Sequence, residues 1–111
     1  MIELSTIIMI LCLHFVSDFI LQSNWMAQNK SKSNLALSTH VLVYSLPFML
    51  IGFWYAIINA SLHFIIDYFT SRATSKLWKE EKVHWFFVVI GLDQTLHFIC
   101  LFSTYVIIFN I

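Results

Sequence analysis

The chain consists of long apolar runs separated by two polar segments, 23–34 and 71–84. Because a bilayer core of about 30 Å requires roughly 20 helical residues, the first run predicts a membrane-spanning helix over 2–22. The run after the first polar segment is too long for one span. It contains the single proline, Pro47, and one of the two glycines, Gly52, which predicts a tight turn between two helices.

The pattern predicts helices over 2–22, 35–51, 54–71 and 85–110 in a single domain, 1–111. We therefore predict an all-α polytopic membrane protein, with four transmembrane helices in an up-down bundle. The composition agrees, because 59% of the residues are hydrophobic and 11% are charged, and the mean hydropathy is +0.80, which does not suit a water-soluble domain. A formal net charge of zero leaves no basic stripe for a phosphate backbone, which excludes nucleic acid as a partner.

The cationic side chains are confined to the two polar segments. They are Lys30, Lys32, Arg72, Lys76, Lys79 and Lys82. Lys and Arg in short loops mark the cytoplasmic face of a membrane protein. We therefore predict cytoplasmic loops at 23–34 and 71–84, with both termini on the periplasmic side.

Ionisable side chains lie inside all four predicted helices. They are His14 and Asp18 in the first, His40 in the second, His63 and Asp67 in the third, and Asp93 and His97 in the fourth. Counted at about 1.5 Å of rise per residue, all of them lie within about 18 Å of the cytoplasmic ends. Three of the helices carry a His and an Asp four residues apart, so each pair lies on one helix face. The sequence therefore predicts one shared polar layer.

The polar layer has three interpretations. A carboxylate at the centre of a span costs about 2.5–3.5 kcal/mol, and such residues usually mark a functional site, so the first is a metal or catalytic site. The second is interhelical hydrogen bonding alone, in a non-enzymatic protein that binds a partner. The third is a path for protons or metal ions. The outer half of the helices offers only hydroxyl groups to continue such a path, so a homo-oligomer would have to complete it.

The residue types in the layer suit a metal with nitrogen and oxygen ligands. Zinc, manganese and iron accept such ligands, whereas copper(I) and iron–sulfur clusters require sulfur. Cys12 and Cys100 lie in apolar runs without ligand spacing, and we expect buried, apolar roles for them. A catalytic zinc takes three protein ligands, and the layer has more candidates than that. Either two ions are bound, or one ion is bound and the other residues orient its ligands or act as base.

Metal-assisted hydrolysis would require a carboxylate that accepts a proton from water. Asp18, Asp67 and Asp93 all qualify, and the sequence does not choose among them. Gln94, beside Asp93, would orient a ligand or bind a substrate group, and an interhelical amide contact is its alternative. A small amphiphilic substrate or membrane lipid is the expected partner. Gln22, Lys30, Arg72 and Lys76 lie where an anionic headgroup would sit, although the three cations among them would equally serve as topology signals.

Two similar motifs occur in the first and third predicted helices, LHFVSDFI from Leu13 and LHFIIDYF from Leu62. These helices run in the same direction, so the motifs suggest a duplicated helical hairpin. The full set of motifs comprises H-x3-D-F-x2-Q (His14, Asp18, Phe19, Gln22), Trp-Met and a lysine (Trp25, Met26, Lys30), His40, H-x3-D-Y (His63, Asp67, Tyr68) and D-Q-x2-H (Asp93, Gln94, His97). This set resembles the small phage and bacterial inner-membrane proteins grouped as "domain of unknown function 3307".

The resemblance implies a multi-pass protein of the bacterial inner membrane, encoded by a phage or its host, and implies no settled activity. The H-x3-D helices are also loosely similar to inner-membrane proteins labelled metal-dependent hydrolases. We therefore expect a metal-dependent hydrolase of a lipid or another membrane-embedded substrate. The alternative is a small non-enzymatic membrane protein in which the polar layer joins the helices.

Overall fold

The computed structural model describes residues 1–111, and its regular elements are all helical. They are α1 (Leu4–Phe15), which continues into a π-helical segment (Val16–Ile20), α2 (Asn24–Asn29), α3 (Asn34–Phe48), α4 (Phe53–Lys79) and α5 (Val83–Phe109). The long helices pack into an elongated bundle of 44 × 27 × 20 Å, with α4 between α3 and α5. The prediction of an all-α fold is confirmed.

The first polar segment contains a short helix, α2, where the sequence predicted a loop. Ser23 caps α2, since its side chain accepts a hydrogen bond from the backbone amide of Met26. Ser33 caps α3 in the same way through Ala36. Serine is a favoured N-cap because its hydroxyl satisfies an amide that has no partner within the helix. The two caps mark the starts of α2 and α3.

Helix α4 is longer than predicted, because it ends at Lys79 and not at residue 71. Residues 71–79 include no glycine or proline, so nothing interrupts the helical hydrogen bonds. The chain reverses at Glu81, which has a φ of 58° in the left-handed region. The predicted loop 71–84 is therefore mostly helix, and the true turn comprises residues 80–82.

The prediction of four transmembrane helices is not supported. One helix, α5, is long and apolar enough to cross a membrane. The apolar stretch Leu4–Ile20 is shorter, and α3 has 15 residues, which gives a length of about 22 Å at the helical rise. A bilayer core is about 30 Å thick. Helix α4 has sufficient length, but its polar and charged side chains lower its hydropathy.

The apolar core lies at the end of the bundle away from the two polar segments. It comprises Ile10, Tyr44, Phe48, Tyr55, Ala56 and Leu101. Tyr55 is anchored there, because its hydroxyl donates a 2.9 Å hydrogen bond to the carbonyl of Leu101. Asn59 lies one turn further along α4 and donates to the Tyr55 carbonyl and the Thr104 hydroxyl. This end of the bundle is thus held by packing and by hydrogen bonds between α4 and α5.

The distribution of polarity is unusual for a folded chain. Half of the 20 buried residues are polar or charged. Long apolar side chains are exposed on every long helix, for example Ile8, Leu42, Ile65 and Leu92. Soluble monomers rarely expose large continuous apolar surfaces. The fold therefore places its polar groups inside and much of its apolar surface outside.

Substitutions at two residues of α5 test which face of this helix packs against the core. Leu101 is fully buried, whereas Leu92 is 52% exposed. We expect Leu101→Ala to lower the free energy of unfolding by about 2–5 kcal/mol, because it leaves a cavity in the core. Leu92→Ala should change it by less than about 0.5 kcal/mol. Thermal unfolding in detergent, followed by circular dichroism, measures both. Equal losses would contradict the assigned face.

Candidate metal centre

The seven ionisable residues of the predicted polar layer meet at one level of the bundle. His14 comes from α1, Asp18 from the π segment, His40 from α3, and the other four from α4 and α5. Six of the seven are buried, and Asp93 is partly buried. Six of the seven side chains belong to two overlapping sets with metal-ligand geometry, Asp18, His40, His63 and Asp67 in one, and Asp18, Asp93 and His97 in the other. We call these ligand group A and ligand group B.

Ligand group A brings two imidazole nitrogens and two carboxylate oxygens together. His40 Nε2 lies 3.0 Å from Asp18 Oδ1 and 3.4 Å from Asp67 Oδ2. His63 Nε2 lies 3.4 Å from Asp18 Oδ1 and 3.1 Å from Asp67 Oδ2. The two Nε2 atoms are 3.2 Å apart. All four atoms therefore converge on one point.

These separations have the size that a tetrahedral ion requires. Zinc binds histidine nitrogen and carboxylate oxygen at about 2.0–2.1 Å, which gives about 3.3 Å between neighbouring ligand atoms in a tetrahedron. The five separations given above range from 3.0 to 3.4 Å. The remaining pair, the two carboxylate oxygens, lies within 4.8 Å. Ligand group A could thus hold a metal ion with little rearrangement.

Proton positions within ligand group A also favour a cation. Ionised carboxylates only accept hydrogen bonds, so each Nε2 that faces them alone would carry a proton. Yet His40 Nε2 and His63 Nε2 also face each other at 3.2 Å, where two N–H groups would repel. A bound cation would remove this conflict, because both nitrogens then direct lone pairs at the ion and carry their protons on Nδ1.

The Nδ1 atoms of His40 and His63 are both buried without a hydrogen-bond partner. Metal-bound histidines ordinarily donate this second N–H to a carboxylate, carbonyl or water. The orientation of His63 has another source of support, because its ring stacks between those of Tyr44 and His97 with centroid distances of 3.9 Å on both sides. Ring stacking, and not a hydrogen bond at Nδ1, therefore holds the His63 imidazole in place.

The π-helical segment explains how Asp18 reaches ligand group A. Its wider turn is seen in the hydrogen bond from the Leu21 amide to the Val16 carbonyl, five residues back. His14 and Asp18 are consequently further apart, at 3.6 Å, than His63 and Asp67, at 3.1 Å. Asp18 turns instead toward His40 on α3. Such π turns occur frequently at functional sites.

Ligand group B lies on the α5 side of the same carboxylates. His97 Nε2 is 3.2 Å from Asp93 Oδ1 and 3.1 Å from Asp67 Oδ1. Thr70 donates a 2.6 Å hydrogen bond to Asp93 Oδ1. The sequence did not identify Thr70 as a site residue, although its position three residues after Asp67 places it on the same face of α4.

His14 lies outside both ligand groups and orients them through Gln94. His14 Nε2 donates to Gln94 Oε1 at 2.8 Å, and the Gln94 amide donates to Asp18 Oδ2 and Asp93 Oδ2 at 3.3 and 3.1 Å. The Tyr44 hydroxyl donates to His14 Nδ1 at 3.3 Å. Gln94 thus makes the interhelical contact that was one of its two expected roles. Tyr44 was missed, although it lies one helical turn after His40.

Lys30 is the cation nearest to the carboxylates. Its ammonium group lies 3.2 Å from Asp67 Oδ2, the same oxygen that faces His40 and His63. The sequence placed Lys30 among the headgroup candidates and did not identify this ion pair, because no periodicity relates α2 to α4. The two cysteines take no part in the centre: both are unpaired, and Cys12 is exposed, so its predicted burial is wrong.

A cavity of about 840 Å³ connects the carboxylates to the end of the bundle that carries the polar segments. Asp18, Asp67 and Asp93 line its inner end, with Gln94 beside them. Three lysines (Lys30, Lys32, Lys79) and five large apolar residues (Phe19, Trp78, Phe86, Phe87, Ile90) line the rest together with smaller side chains. The histidines of both ligand groups lie behind the carboxylates and do not line the cavity.

The four headgroup candidates divide between two places. Gln22 and Lys30 line the large cavity, and Gln22 Oε1 is buried there without a partner. Arg72 and Lys76 line a separate cavity of about 370 Å³. Arg72 is engaged locally, since it donates to the Tyr68 carbonyl and to Asn34 Oδ1 and covers the Tyr68 ring at 3.8 Å.

The whole set of site residues falls within one family match, which covers residues 6–111. No curated protein and no solved structure matches the chain. The looser likeness to metal-dependent hydrolases is not shown, whereas the resemblance carried by the His and Asp motifs is confirmed. The chain belongs to the family described as "Protein of unknown function (DUF3307)".

Proposed function

We propose that this chain is an inner-membrane protein that binds a divalent metal ion in ligand group A and hydrolyses a lipid or another membrane-embedded anionic substrate. The observation that carries the proposal is the cavity whose inner end is formed by Asp18, Asp67 and Asp93. A buried His and Asp cluster that served only to join helices would need no such opening.

The membrane location is supported by the reversed polarity of the fold. Only 11% of the apolar window in α5 is buried within the chain, whereas a core helix of a soluble protein would be mostly covered. The shorter apolar segments, Leu4–Ile20 and α3, flank the same polar interior. We propose that all four long segments are embedded and that the bilayer adapts locally to the shorter ones, which costs a fraction of a kcal/mol per Å of mismatch.

The orientation follows from the cationic end of the bundle. Lys32, Arg72, Lys76 and Lys79 line one cavity there, and Lys82 pairs with Glu80 in the adjoining turn at 3.1 Å. Positive side chains in short loops remain on the cytoplasmic side. We therefore propose that the large cavity opens toward the cytoplasm and that both chain ends of the bundle are periplasmic.

The cavity suits a substrate with an anionic head and an apolar tail. Lys30 and Lys32 would attract the head, and the aromatic side chains of Phe19, Phe86 and Phe87 would accept the tail. Phe19 and Phe87 are themselves half-exposed on the bundle surface, at 50% and 60%. A lipid could thus extend from the bilayer between the π segment and α5.

The residues at the inner end can supply what ester hydrolysis requires. Zinc fits ligand group A best, with manganese or iron as alternatives, and when bound such an ion polarises the substrate oxygen and activates water. The oxygen of water then forms a bond to phosphorus or carbonyl carbon, and the ester bond breaks. A carboxylate at the cavity floor accepts the proton of water and returns it to the leaving oxygen. Gln94 holds Asp18 and Asp93 in place for this transfer.

A second candidate function is a non-enzymatic membrane protein in which the layer joins the helices. The contact between Lys30 and Asp67 favours it, because an ammonium group at 3.2 Å compensates a buried carboxylate without a metal ion. The two functions differ in their need for metal, so metal analysis separates them.

Metal content should depend on ligand group A. We expect wild-type protein, purified in mild detergent without chelator, to contain at least one equivalent of zinc, manganese or iron by elemental analysis. His63→Ala and Asp67→Ala should lose most of it, since each removes a ligand. His84→Ala is the matched control, because His84 is exposed and lies outside the layer. A stable wild-type protein without metal would contradict the proposal and support the non-enzymatic function.

Hydrolysis should depend on a carboxylate outside ligand group A. The metal-loaded protein should cleave either a nitrophenyl phosphodiester or a nitrophenyl carboxyl ester, each with a long alkyl chain, in detergent micelles. Asp93→Asn should lower kcat by roughly 100-fold or more, because it removes a carboxylate from the inner end of the cavity. Thr95→Val is the control, because Thr95 is exposed and bonds only to the Gly91 carbonyl. If the loaded protein cleaves neither ester, the hydrolase proposal is refuted.

The proposed orientation places Ile111, at the end of the bundle, on the periplasmic side of the membrane. A reporter enzyme that folds only in the periplasm should be active when fused after Ile111, and a reporter that fluoresces only in the cytoplasm should be dark at the same position. The opposite pair of results would place the cationic end outside, and the proposed cytoplasmic opening of the cavity would fail with it.

A further inference from the structure

Two aspartates face both ligand groups at once. Asp67 directs Oδ2 at His63 and Oδ1 at His97, each at 3.1 Å. Asp18 directs Oδ1 at His40, at 3.0 Å, and Oδ2 at the Gln94 amide on α5, at 3.3 Å. Each of these carboxylates therefore has one oxygen on the side of ligand group A and the other toward α5.

We propose that the site is a binuclear metal centre bridged by Asp18 and Asp67. This inference rests on the proposed function, because it requires that ligand group A binds metal. His40 and His63 would hold the first ion, and Asp93 and His97 would hold the second. Gln94 and His14 would orient the carboxylates between them.

The stacked histidines give an independent measure of the spacing. The rings of His63 and His97 lie nearly parallel, at an angle of 16°, with their centroids 3.9 Å apart. Their Nε2 atoms contact different oxygens of Asp67. If each of two parallel imidazoles binds one ion, the distance between the ions is about the distance between the rings. Paired metal ions in enzymes lie about 3.5–4 Å apart, which agrees with the stacking distance.

The charges of the layer are also compatible with a second ion. Three aspartates contribute three negative charges, so a single divalent ion leaves one negative charge in the buried layer. Lys30 neutralises that charge through its 3.2 Å contact with Asp67. A second divalent ion would take over this role and release Lys30 toward the cavity. The centre would then carry a net positive charge, which suits an anionic substrate.

Metal stoichiometry together with magnetic coupling tests the binuclear centre. The full-length protein in detergent is stripped with chelator, loaded with Mn²⁺ by equilibrium dialysis and examined by elemental analysis and electron paramagnetic resonance. We expect two manganese ions per chain and the spectrum of an exchange-coupled pair. His97→Ala should retain one ion, with the hyperfine pattern of isolated manganese, because ligand group A is intact. His84→Ala should retain the coupled pair.

A second variant covers the case in which His97→Ala does not fold. Asp93→Asn alters the least buried member of ligand group B and should also reduce two coupled ions to one isolated ion. One isolated ion in the wild type, or two ions without coupling, would overturn the binuclear centre but leave the proposed metal site intact. No bound ion in the wild type would overturn both.

Discussion

The structure depends on the compensation of three carboxylates inside a helical bundle. Removing an ionised carboxylate from water costs several kcal/mol unless charged or hydrogen-bonding partners surround it. Each of the three carboxylates has partners on other elements: Asp18 on α3 and α5, Asp67 on α3, α5 and the turn after α2, and Asp93 on α4. The relative positions of the helices are thus tied to one small set of polar contacts.

This constraint explains the shape of the whole molecule. The polar contacts occupy the middle and one end of the bundle, so the apolar core around Tyr55 and Leu101 is confined to the other end. Many of the remaining apolar side chains are exposed on the outer surface, which is rare for a soluble monomer. The cavity follows the same division, because it leads from the lysine-bearing turns to the carboxylates. The polar contacts, the cavity opening and the cationic side chains therefore all lie toward the same end of the bundle.

The sequence predicted the helical fold and the meeting of the seven residues, because spacing of four residues and similar depth are visible in one dimension. It did not reveal the π turn at Asp18, since the motifs at His14 and His63 look alike but adopt different helices. Helix α4 is longer than the sequence pattern predicts. The polar composition of 71–79 is typical of a loop, but the segment contains no glycine or proline to end the helix. The contact of Lys30 with Asp67 joins elements that no sequence period relates. The estimated depth of His14 in its helix is similar to that of the histidines of ligand group A. It therefore did not show that His14 orients Gln94 and is not one of the ligands.

X-ray absorption spectroscopy at the zinc edge tests the central claim most directly, namely that imidazole and carboxylate groups from separate helices surround a cation. For the zinc-loaded wild-type protein we predict nitrogen and oxygen neighbours at about 2.0–2.1 Å, with the outer-shell scattering of two imidazole rings per ion in ligand group A and no sulfur. His40→Ala should reduce the imidazole scattering. A first shell of oxygen alone, or a sulfur neighbour at about 2.3 Å, would contradict the account.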